Sequence, residues 1–454
     1  MHINESQTIA QIITAPGKGA VGIVRISGDE ALAIADALAG GSGKISRVAS
    51  HTIHYGWVVN RQGEPLDEAL FMVMRGPRSY TGEDVVEVQC HGGPVALGEI
   101  LRETCAHGAR LAEAGEFSRR AFLNGKLDLS RAEAIMDLVE AKSDGALKLA
   151  ARQKSGATAR VVDGLRASIL ELIAYIQADL DFPEDDIERL DRATYRQRAE
   201  ALEEDLAKLV DTAARGRFYR EGITVALCGR ANVGKSSLLN ALTGRNTAIV
   251  TNIPGTTRDS VEATVQVEGM ALRLVDTAGL RETDDLVEQI GVDRARDIVK
   301  GADVIAYCVD APTGLTPEDE AFIADHADQV GLLVINQTDL AEGSASASPW
   351  PVVTTSALAG TGIDDLGRAL KAAALKEAPA AENALYLTNT RQVALAETAL
   401  QDIRQFIAAL DQGLSDDLLV IDLQHAWEIL GLITGETAAD DLLDQIFSQF
   451  CLGK

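Results

Sequence analysis

Residues 229–236 read Gly-Arg-Ala-Asn-Val-Gly-Lys-Ser, directly after the apolar run Ile223 to Cys228. A short apolar strand that hands over to a glycine-rich turn and then a helix is the setting of a phosphate-binding loop. Gly229 and Gly234 let the backbone curl so that successive N–H groups face phosphate oxygens. Lys235 is placed to bridge the outer phosphates, and Ser236 to ligate Mg²⁺. Asn232, Val233 and Ser237 complete the cradle. The plain alternative is a glycine-rich turn with no ligand. The amphipathic stretch Ser237–Leu242, which opens a helix directly after the loop, counts against it.

Further motifs follow in the order that a Ras-like P-loop GTPase domain requires. Gly255-Thr256-Thr257-Arg258-Asp259 comes after the first helix, and Thr257 is the threonine expected to close over the γ-phosphate and reach Mg²⁺. The strand Leu272–Val275 leads into Asp276-Thr277-Ala278-Gly279. Asp276 suits the outer shell of Mg²⁺, and the Gly279 N–H suits a γ-phosphate oxygen. Val304–Val309 and Leu332–Ile335 read as buried parallel strands. The second ends in Asn336-Gln337-Thr338-Asp339, where Asp339 can accept two N–H bonds from the guanine edge; adenine offers no such donor pair. Thr355-Ser356-Ala357 backs up the base. Three positions depart from the usual pattern. Gln337 stands where lysine is usual, Leu358 replaces the lysine of Ser-Ala-Lys, and Leu280 replaces the glutamine that orients attacking water. Either hydrolysis is feeble or another polar group serves; the stretch Arg281–Glu288 offers carboxylates, most of which read equally as a solvated acidic loop. Asn232 offers a neutral oxygen for a monovalent cation.

The chain has 454 residues, too many for one core. Its net charge of −26 argues against broad nucleic-acid binding and leaves room for an RNA held by a local basic patch or a partner. Arg119, Arg120, Lys126 and Arg131 form one small basic cluster; Arg152, Lys154 and Arg160 form another. Either reads equally as a solvated helix face. No apolar run approaches the roughly 20 residues of a membrane span, and the N-terminus lacks a secretory pattern. The five scattered cysteines read as reduced thiols, so a cytoplasmic protein is expected.

Residues 1–118 alternate β-rich runs with turns: Thr8–Thr14, Val21–Ser27, Tyr55–Val59, Leu70–Met74 and Val85–His91, with helices near Ala31–Leu38 and Val95–Ala106. This pattern predicts an N-terminal α+β domain. A helical period then takes over. Leu165, Ile169, Leu172, Ile173, Ile176 and Leu180 share one face, as do Leu202, Leu206 and Leu209, and Leu400, Ile403, Ile407 and Leu410. Helical segments thus bracket the phosphate-loop region. The expectation is a multidomain α/β and α+β chain. It places one discontinuous helical domain at 119–215 and 380–454, with the GTPase domain at 216–379 inserted into it.

The whole pattern resembles the MnmE (TrmE) tRNA-modification GTPases. The resemblance rests on Gly17–Gly28, Ser79–Glu87 with Cys90-His91-Gly92-Gly93-Pro94, Gly115–Leu129 and the terminal Phe450-Cys451-Leu452-Gly453-Lys454. It implies a homodimer formed through the N-terminal domains, which also carry a folate pocket. A heterotetramer with the flavoprotein MnmG, which brings FAD, is implied as well. The implied reaction adds an aminomethyl or carboxymethylaminomethyl group to C5 of a tRNA wobble uridine. The one-carbon unit comes from 5-formyl- or methylene-tetrahydrofolate. Arg25, Glu87 and Lys126 match folate-contacting positions, with Lys454 reaching in; Cys451 reads either as a buried or tail thiol or as a reactive thiol near the folate. From its residue type alone, Arg25 reads as an exposed edge residue and Lys126 as an ordinary surface lysine. Glu288 matches the carboxylate that orients water. The stretch Thr251, Asn252, Ile253, Pro254, Gly255, Thr256 contacts nucleotide, and Asn232, Thr251, Ile253 and Thr256 match the ligands of a K⁺ that replaces an arginine finger. Thr277, Ala278 and Ala357 fall in the nucleotide-binding set. A GTP-switched ribosome-assembly protein of the Era type would carry a basic RNA-binding module after its GTPase domain. Residues 382–454 are acidic and helical instead.

Overall fold

The computed structural model describes residues 7–40, 43–181, 191–245, 261–276, 296–342, 348–375, 387–450 and 452–453. The chain divides into two compact units: Met1–Met136 with Ala159–Ala167 and Trp427–Lys454, and Asp137–Thr158 with Ser168–Ala426.

The first unit is built on a seven-stranded sheet. Its elements run β1 (Ile9–Ile12), β2 (Val21–Ser27), α1 (Ala31–Leu38), β3 (Ala39–Gly40), β4 (Thr52–Val59), β5 (Pro65–Met74), β6 (Val85–His91), α2 (Pro94–Ala106), β7 (Arg110–Leu111) and α3 (Glu116–Leu123). The strand order is β3-β4-β5-β6-β2-β1-β7, antiparallel except for β1 and β7. Period-two alternation sends Val24, Ile26, Phe71, Val73, Val86 and Val88 to one face, where Ile34, Leu38, Leu97 and Ile100 of α1 and α2 cover them. On the other face Ile53, Tyr55 and Trp57 of β4 and Leu70 of β5 stay exposed, with Tyr55 directly opposite Leu70. The short strands β3 and β7, two residues each, were not foreseen from sequence.

Half of the first basic cluster is not a solvated face. Arg119 and Arg120 are buried, 7% and 4% exposed. Arg120 pairs with Glu83 and Glu116 at 3.0 Å each, and Arg119 pairs with Asp444. Arg110 also donates to Glu116, at 2.7 Å from Nη1. Burial alone raises a carboxyl pKa. At Glu116 hydrogen bonds from Arg110 and the Glu113 N–H, with the charge of Arg120, outweigh it and hold the carboxyl below its ordinary range. A depressed folded pKa stabilises the fold above the unfolded value and loses that stabilisation as pH falls through the folded one. Glu116→Gln is therefore expected to cost about 3 kcal/mol at neutral pH, because the buried Arg120 and the half-buried Arg110 lose their shared anion. The gap from wild type should narrow at acid pH, below the ordinary carboxylate range. Urea midpoints of the two chains at pH 7 and at acid pH check this; a constant gap contradicts it.

The next helices are α4 (Leu129–Glu140), α5 (Asp144–Lys154), α6 (Ala157–Asp181), α7 (Arg192–Asp211) and α8 (Ala213–Glu221); all of α5, α7 and α8 lies in the second unit, with α4 from Asp137 on and α6 apart from Ala159–Ala167. Ser143 caps α5 and Asp191 caps α7 through side-chain acceptors. Leu202, Leu206 and Leu209 of α7 are buried, and α7 packs on the helix Thr390–Asp411. That helix buries Leu400, Ile403, Phe406 and Leu410, with Ile407 only half-buried; the phenylalanine takes the place expected for Ile407. Leu180, expected on the buried stripe of α6, is 42% exposed; Leu165, Ile169, Leu172, Ile173 and Ile176 are buried as expected. Segments from before and after the nucleotide-binding region also meet through polar groups. Gln153 donates to Thr388 at 3.1 Å, Thr388 donates to Asp137 at 3.1 Å, and Arg220 of α8 pairs with Asp137 at 2.8 Å.

Between those helical segments lies a six-stranded sheet. Its elements are β8 (Ile223–Cys228), α9 (Lys235–Arg245), β9 (Val261–Val267), β10 (Met270–Asp276), β11 (Val304–Asp310), β12 (Gly331–Asn336) and β13 (Val352–Thr354), in the order β13-β12-β11-β8-β10-β9. All pairs are parallel except the β9–β10 hairpin, which turns at Glu268-Gly269. β8, β11 and β12 are buried on both faces, which is why they read as nearly unbroken apolar runs. The helices Pro317–Asp325 and Ile363–Leu375 and α9 flank the sheet. Ligand sites in such sheets form outside the carboxyl ends of the strands, where the winding direction reverses. Here that edge gathers the loop after β8, Asp276, Asp310, Asn336 and the loop after β13.

Candidate nucleotide-binding site

The loop 229–236 takes the form its glycines dictate. Gly229 sits at φ +126°, and a Cβ there would lie 2.1 Å from the Cys308 carbonyl oxygen of β11. Gly234 sits at φ +91°, and its Cβ would lie 2.4 Å from Asn336 Nδ2. Only glycine fits either place. Asn232 adopts φ +66°, which asparagine tolerates better than most residues. Val233 is buried, and its carbonyl accepts Asn336 Nδ2 at 3.0 Å. Lys235 is 4% exposed, and its ammonium donates to the carbonyls of Gly229 at 2.7 Å and Arg230 at 2.6 Å. Ser236 Oγ donates to Asp276 Oδ2 at 3.1 Å. A hydroxyl beside a buried carboxylate is an all-oxygen donor pair of the kind that Mg²⁺ takes. Ser237 is exposed in the first turn of α9.

The base-reading residues sit at the ends of β12 and β13. Asn336 is 1% exposed, and its Oδ1 accepts the Ala357 N–H at 3.2 Å and Thr355 Oγ1 at 3.3 Å. The same side chain thus ties the phosphate loop to the loop after β13. Asp339 Oδ1 accepts Ser356 Oγ at 2.5 Å, and Oδ2 has no partner among the described residues. Gln337, at φ +61°, donates from Nε2 to the Asn232 carbonyl at 3.3 Å. Its amide therefore keeps a bond to the phosphate loop although it lacks the ammonium of lysine. Leu358 is 90% exposed.

Sequence reasoning passed over Arg230. Its guanidinium binds Asp310 at 3.1 Å, the Gly314 carbonyl at 3.0 Å and Asp319 at 3.2 Å. Burial opposes ionisation of Asp310, but bonds from Thr313 and the charge of Arg230 hold its carboxyl below the usual range. The arginine inside the loop is thus engaged by carboxylates. Burial pushes the thiol of Cys308, whose carbonyl faces Gly229, up to about 12, so it packs as a neutral group. The only sequence signal for this cluster was Arg230 beside Gly229, with Asp310 closing a strand.

Of the folate-matching residues, Arg25 and Glu87 come together. They are register partners on β2 and β6, joined at 2.8 Å, and the guanidinium lies over Tyr80 and Phe117 at 5.0 and 5.4 Å. Arg25 is thus an interior-strand residue, 15% exposed at its side chain, and not the exposed edge residue its type suggested. The partner of Arg25 is Glu87 Oε1; Oε2 has none among the described residues. Lys126 is exposed and donates to the Pro77 carbonyl at 2.8 Å. Cys90, Cys105, Cys228 and Cys308 are free thiols. Glu288, Thr251, Asn252, Ile253, Pro254, Gly255, Thr256, Thr257, Thr277, Ala278, Gly279, Cys451 and Lys454 lie outside the described residues.

A family model described as the MnmE helical domain matches residues 129–451, and one described as the GTP-binding protein TrmE N-terminus matches residues 8–126. The tRNA modification GTPase MnmE of Geobacillus kaustophilus (strain HTA426) is 46% identical over 462 residues, covering 100% of both chains. That of Geobacillus thermodenitrificans (strain NG80-2) is 45% identical, also over 462 residues and 100% of both chains. Among solved structures, the G domain of the T. maritima FeoB iron transporter is 30% identical; the match covers 34% of this chain and 98% of that one, with a TM-score of 0.26. With a model spanning more than half of its length and relatives alike from end to end, the chain belongs to the MnmE family of tRNA modification GTPases.

Proposed function

We propose that this GTP hydrolase is activated by K⁺ and works as a homodimer, in a heterotetramer with a flavoprotein of the MnmG kind that carries FAD. Its product is an aminomethyl or carboxymethylaminomethyl group on C5 of a tRNA wobble uridine. The observation that carries the nucleotide part is the Asn336 side chain. It joins the phosphate loop to the Ala357 N–H and stands three residues before an Asp339 with one free oxygen. A guanine edge offers two adjacent N–H donors to that carboxylate, and Lys235 exchanges its two carbonyl acceptors for phosphate oxygens. Bound Mg²⁺ and K⁺ would supply positive charge against the charge that develops on the phosphates. Ser236 and Thr257 would hold the first. Asn232, with the carbonyls of Thr251, Ile253 and Thr256, would hold the second. Support for a cation other than arginine comes from Arg230, which is already bound by Asp310 and Asp319. Glu288 takes the part of orienting water, which Leu280 has no group to play.

The folate reading draws support from Glu87, whose free oxygen suits the donor-rich edge of a reduced pterin while Arg25 fixes its mate. The anionic tail then falls to Lys126 and Lys454. A folate bound there supplies the one-carbon unit, and Cys451 is the thiol proposed beside it. The exposed row Ile53, Tyr55, Trp57 and Leu70 favours a dimer through the N-terminal sheet, because apolar side chains gathered on one face gain from a partner. The domain limits that go with this reading are 1–118, then 119–215 with 380–454, and 216–379 between them. Cytoplasmic residence follows from the tRNA substrate, and no described helix is long and apolar enough to cross a membrane.

The test is mass spectrometry of wobble uridines in tRNA from a strain lacking this chain. The C5 aminomethyl-type group should be absent, and it should return on expression of the wild-type chain but not of Asp339→Asn. Unchanged modification in the deletion strain contradicts the proposal.

A further inference from the structure

Arg230 stands second in the phosphate loop, and β11 forms the floor beneath it. Gly229 lies against the Cys308 carbonyl, and two residues further along the same strand Asp310 meets the Arg230 guanidinium. Beyond it lies Asp319, fully buried in the helix Pro317–Asp325. Asp319 accepts Tyr307 Oη at 2.8 Å, and the Thr316 N–H and hydroxyl at 2.8 Å each. Asp310 accepts the Thr313 N–H at 3.1 Å. Among the described residues Arg230 is the only cation paired with either carboxylate. A buried carboxylate without a cation is costly, so this pairing fixes the guanidinium in place. The other end of the same residue matters to the ligand, because the Arg230 carbonyl, with that of Gly229, holds the Lys235 ammonium.

We propose that Arg230 is a positioning residue for nucleotide binding. Anchored on Asp310 and Asp319, it fixes the first turn of the phosphate loop in its ligand-ready shape, with Lys235 held on the Gly229 and Arg230 carbonyls until phosphate oxygens replace them. This rests on the nucleotide reading of the loop and deepens it. A loop shaped in advance lowers the cost of binding any nucleotide with a β-phosphate. It acts before the chemical step, so GDP and GTP depend on it equally. An arginine that stabilised the transition state would instead act on turnover and spare GDP.

The experiment is equilibrium titration of the full-length wild type, Arg230→Ala and Asp310→Asn with fluorescent GDP and a non-hydrolysable GTP analogue, alongside steady-state GTP turnover and thermal melting. Losing a charge-assisted anchor is expected to raise Kd for both nucleotides by about tenfold in Arg230→Ala. Asp310→Asn keeps the shape of its acceptor and should raise both Kd values by about threefold, the smaller share of a two-carboxylate anchor. KM should follow Kd, with kcat at saturation nearly constant. A folded Arg230→Ala chain that binds GDP like wild type overturns the proposal, and so does a fall in kcat at unchanged Kd. Should Arg230→Ala fail to fold, Asp310→Asn decides, and wild-type affinity there overturns it. A wild-type chain that binds neither nucleotide sinks the nucleotide reading itself, an outcome visible before any variant is made.

Discussion

Asp339→Asn should lose GTP and gain xanthosine triphosphate. Ser356 donates to Asp339 Oδ1 and holds the carboxylate in one orientation, with Oδ2 left for a ligand. Guanine presents an N–H and an amino group to such a carboxylate, and both are satisfied. Asparagine replaces one acceptor by an N–H₂ donor, so one guanine donor faces another donor. Sites built around hydrogen bonds discriminate steeply because the mismatch strands polar groups on both sides, and a loss of about a thousandfold in GTP affinity is expected. Xanthine carries a carbonyl where guanine carries its amino group, so it meets the new donor. Paired titrations with the guanine and xanthine nucleotides read this directly. Undiminished GTP affinity in the variant would mean that the base is read elsewhere.

The second large effect belongs to the water. Leu280 can neither donate nor accept, and Arg230 is spoken for by Asp310 and Asp319. On the proposed function, Glu288→Ala keeps nucleotide affinity within about twofold, because the carboxylate touches water and not nucleotide. Its kcat falls by about a hundredfold or more, the usual worth of a positioned acid or base. Single-turnover hydrolysis with pre-bound GTP separates the two quantities. Loss of binding without loss of turnover would assign Glu288 a different role.

The parts of this protein that sequence revealed are those where local backbone shape dictates residue type. The loop 229–236 was legible because Gly229 and Gly234 occupy places that admit no Cβ. The β8 run Ile223–Cys228 was legible because a strand buried on both faces is nearly apolar throughout, with the half-buried Thr224 as its one polar residue. The misreadings came from partners distant in the chain. Arg119 and Arg120 looked like surface charge, yet Glu83 pairs with Arg120 from 37 residues away. Arg230 gave no sign of its anchor, since Asp310 lies 80 residues further on. Arg25 was read as an edge residue because strand order is a tertiary property. Only the sheet shows β2 between β6 and β1, with Glu87 opposite. The hairpin partner β9 went unread because Val261–Val267 alternates Glu, Thr and Gln with small apolar residues, as an edge strand with one wet side does.

In the proposed function a bound alkali cation takes the place of an arginine in GTP cleavage. The most direct test is initial GTP turnover by the full-length chain at saturating Mg–GTP, in KCl and in NaCl of equal ionic strength. Turnover about tenfold or more faster in K⁺ is expected, since a cation of the wrong radius cannot meet the loop oxygens and the phosphate together. Equal rates in the two salts would contradict it.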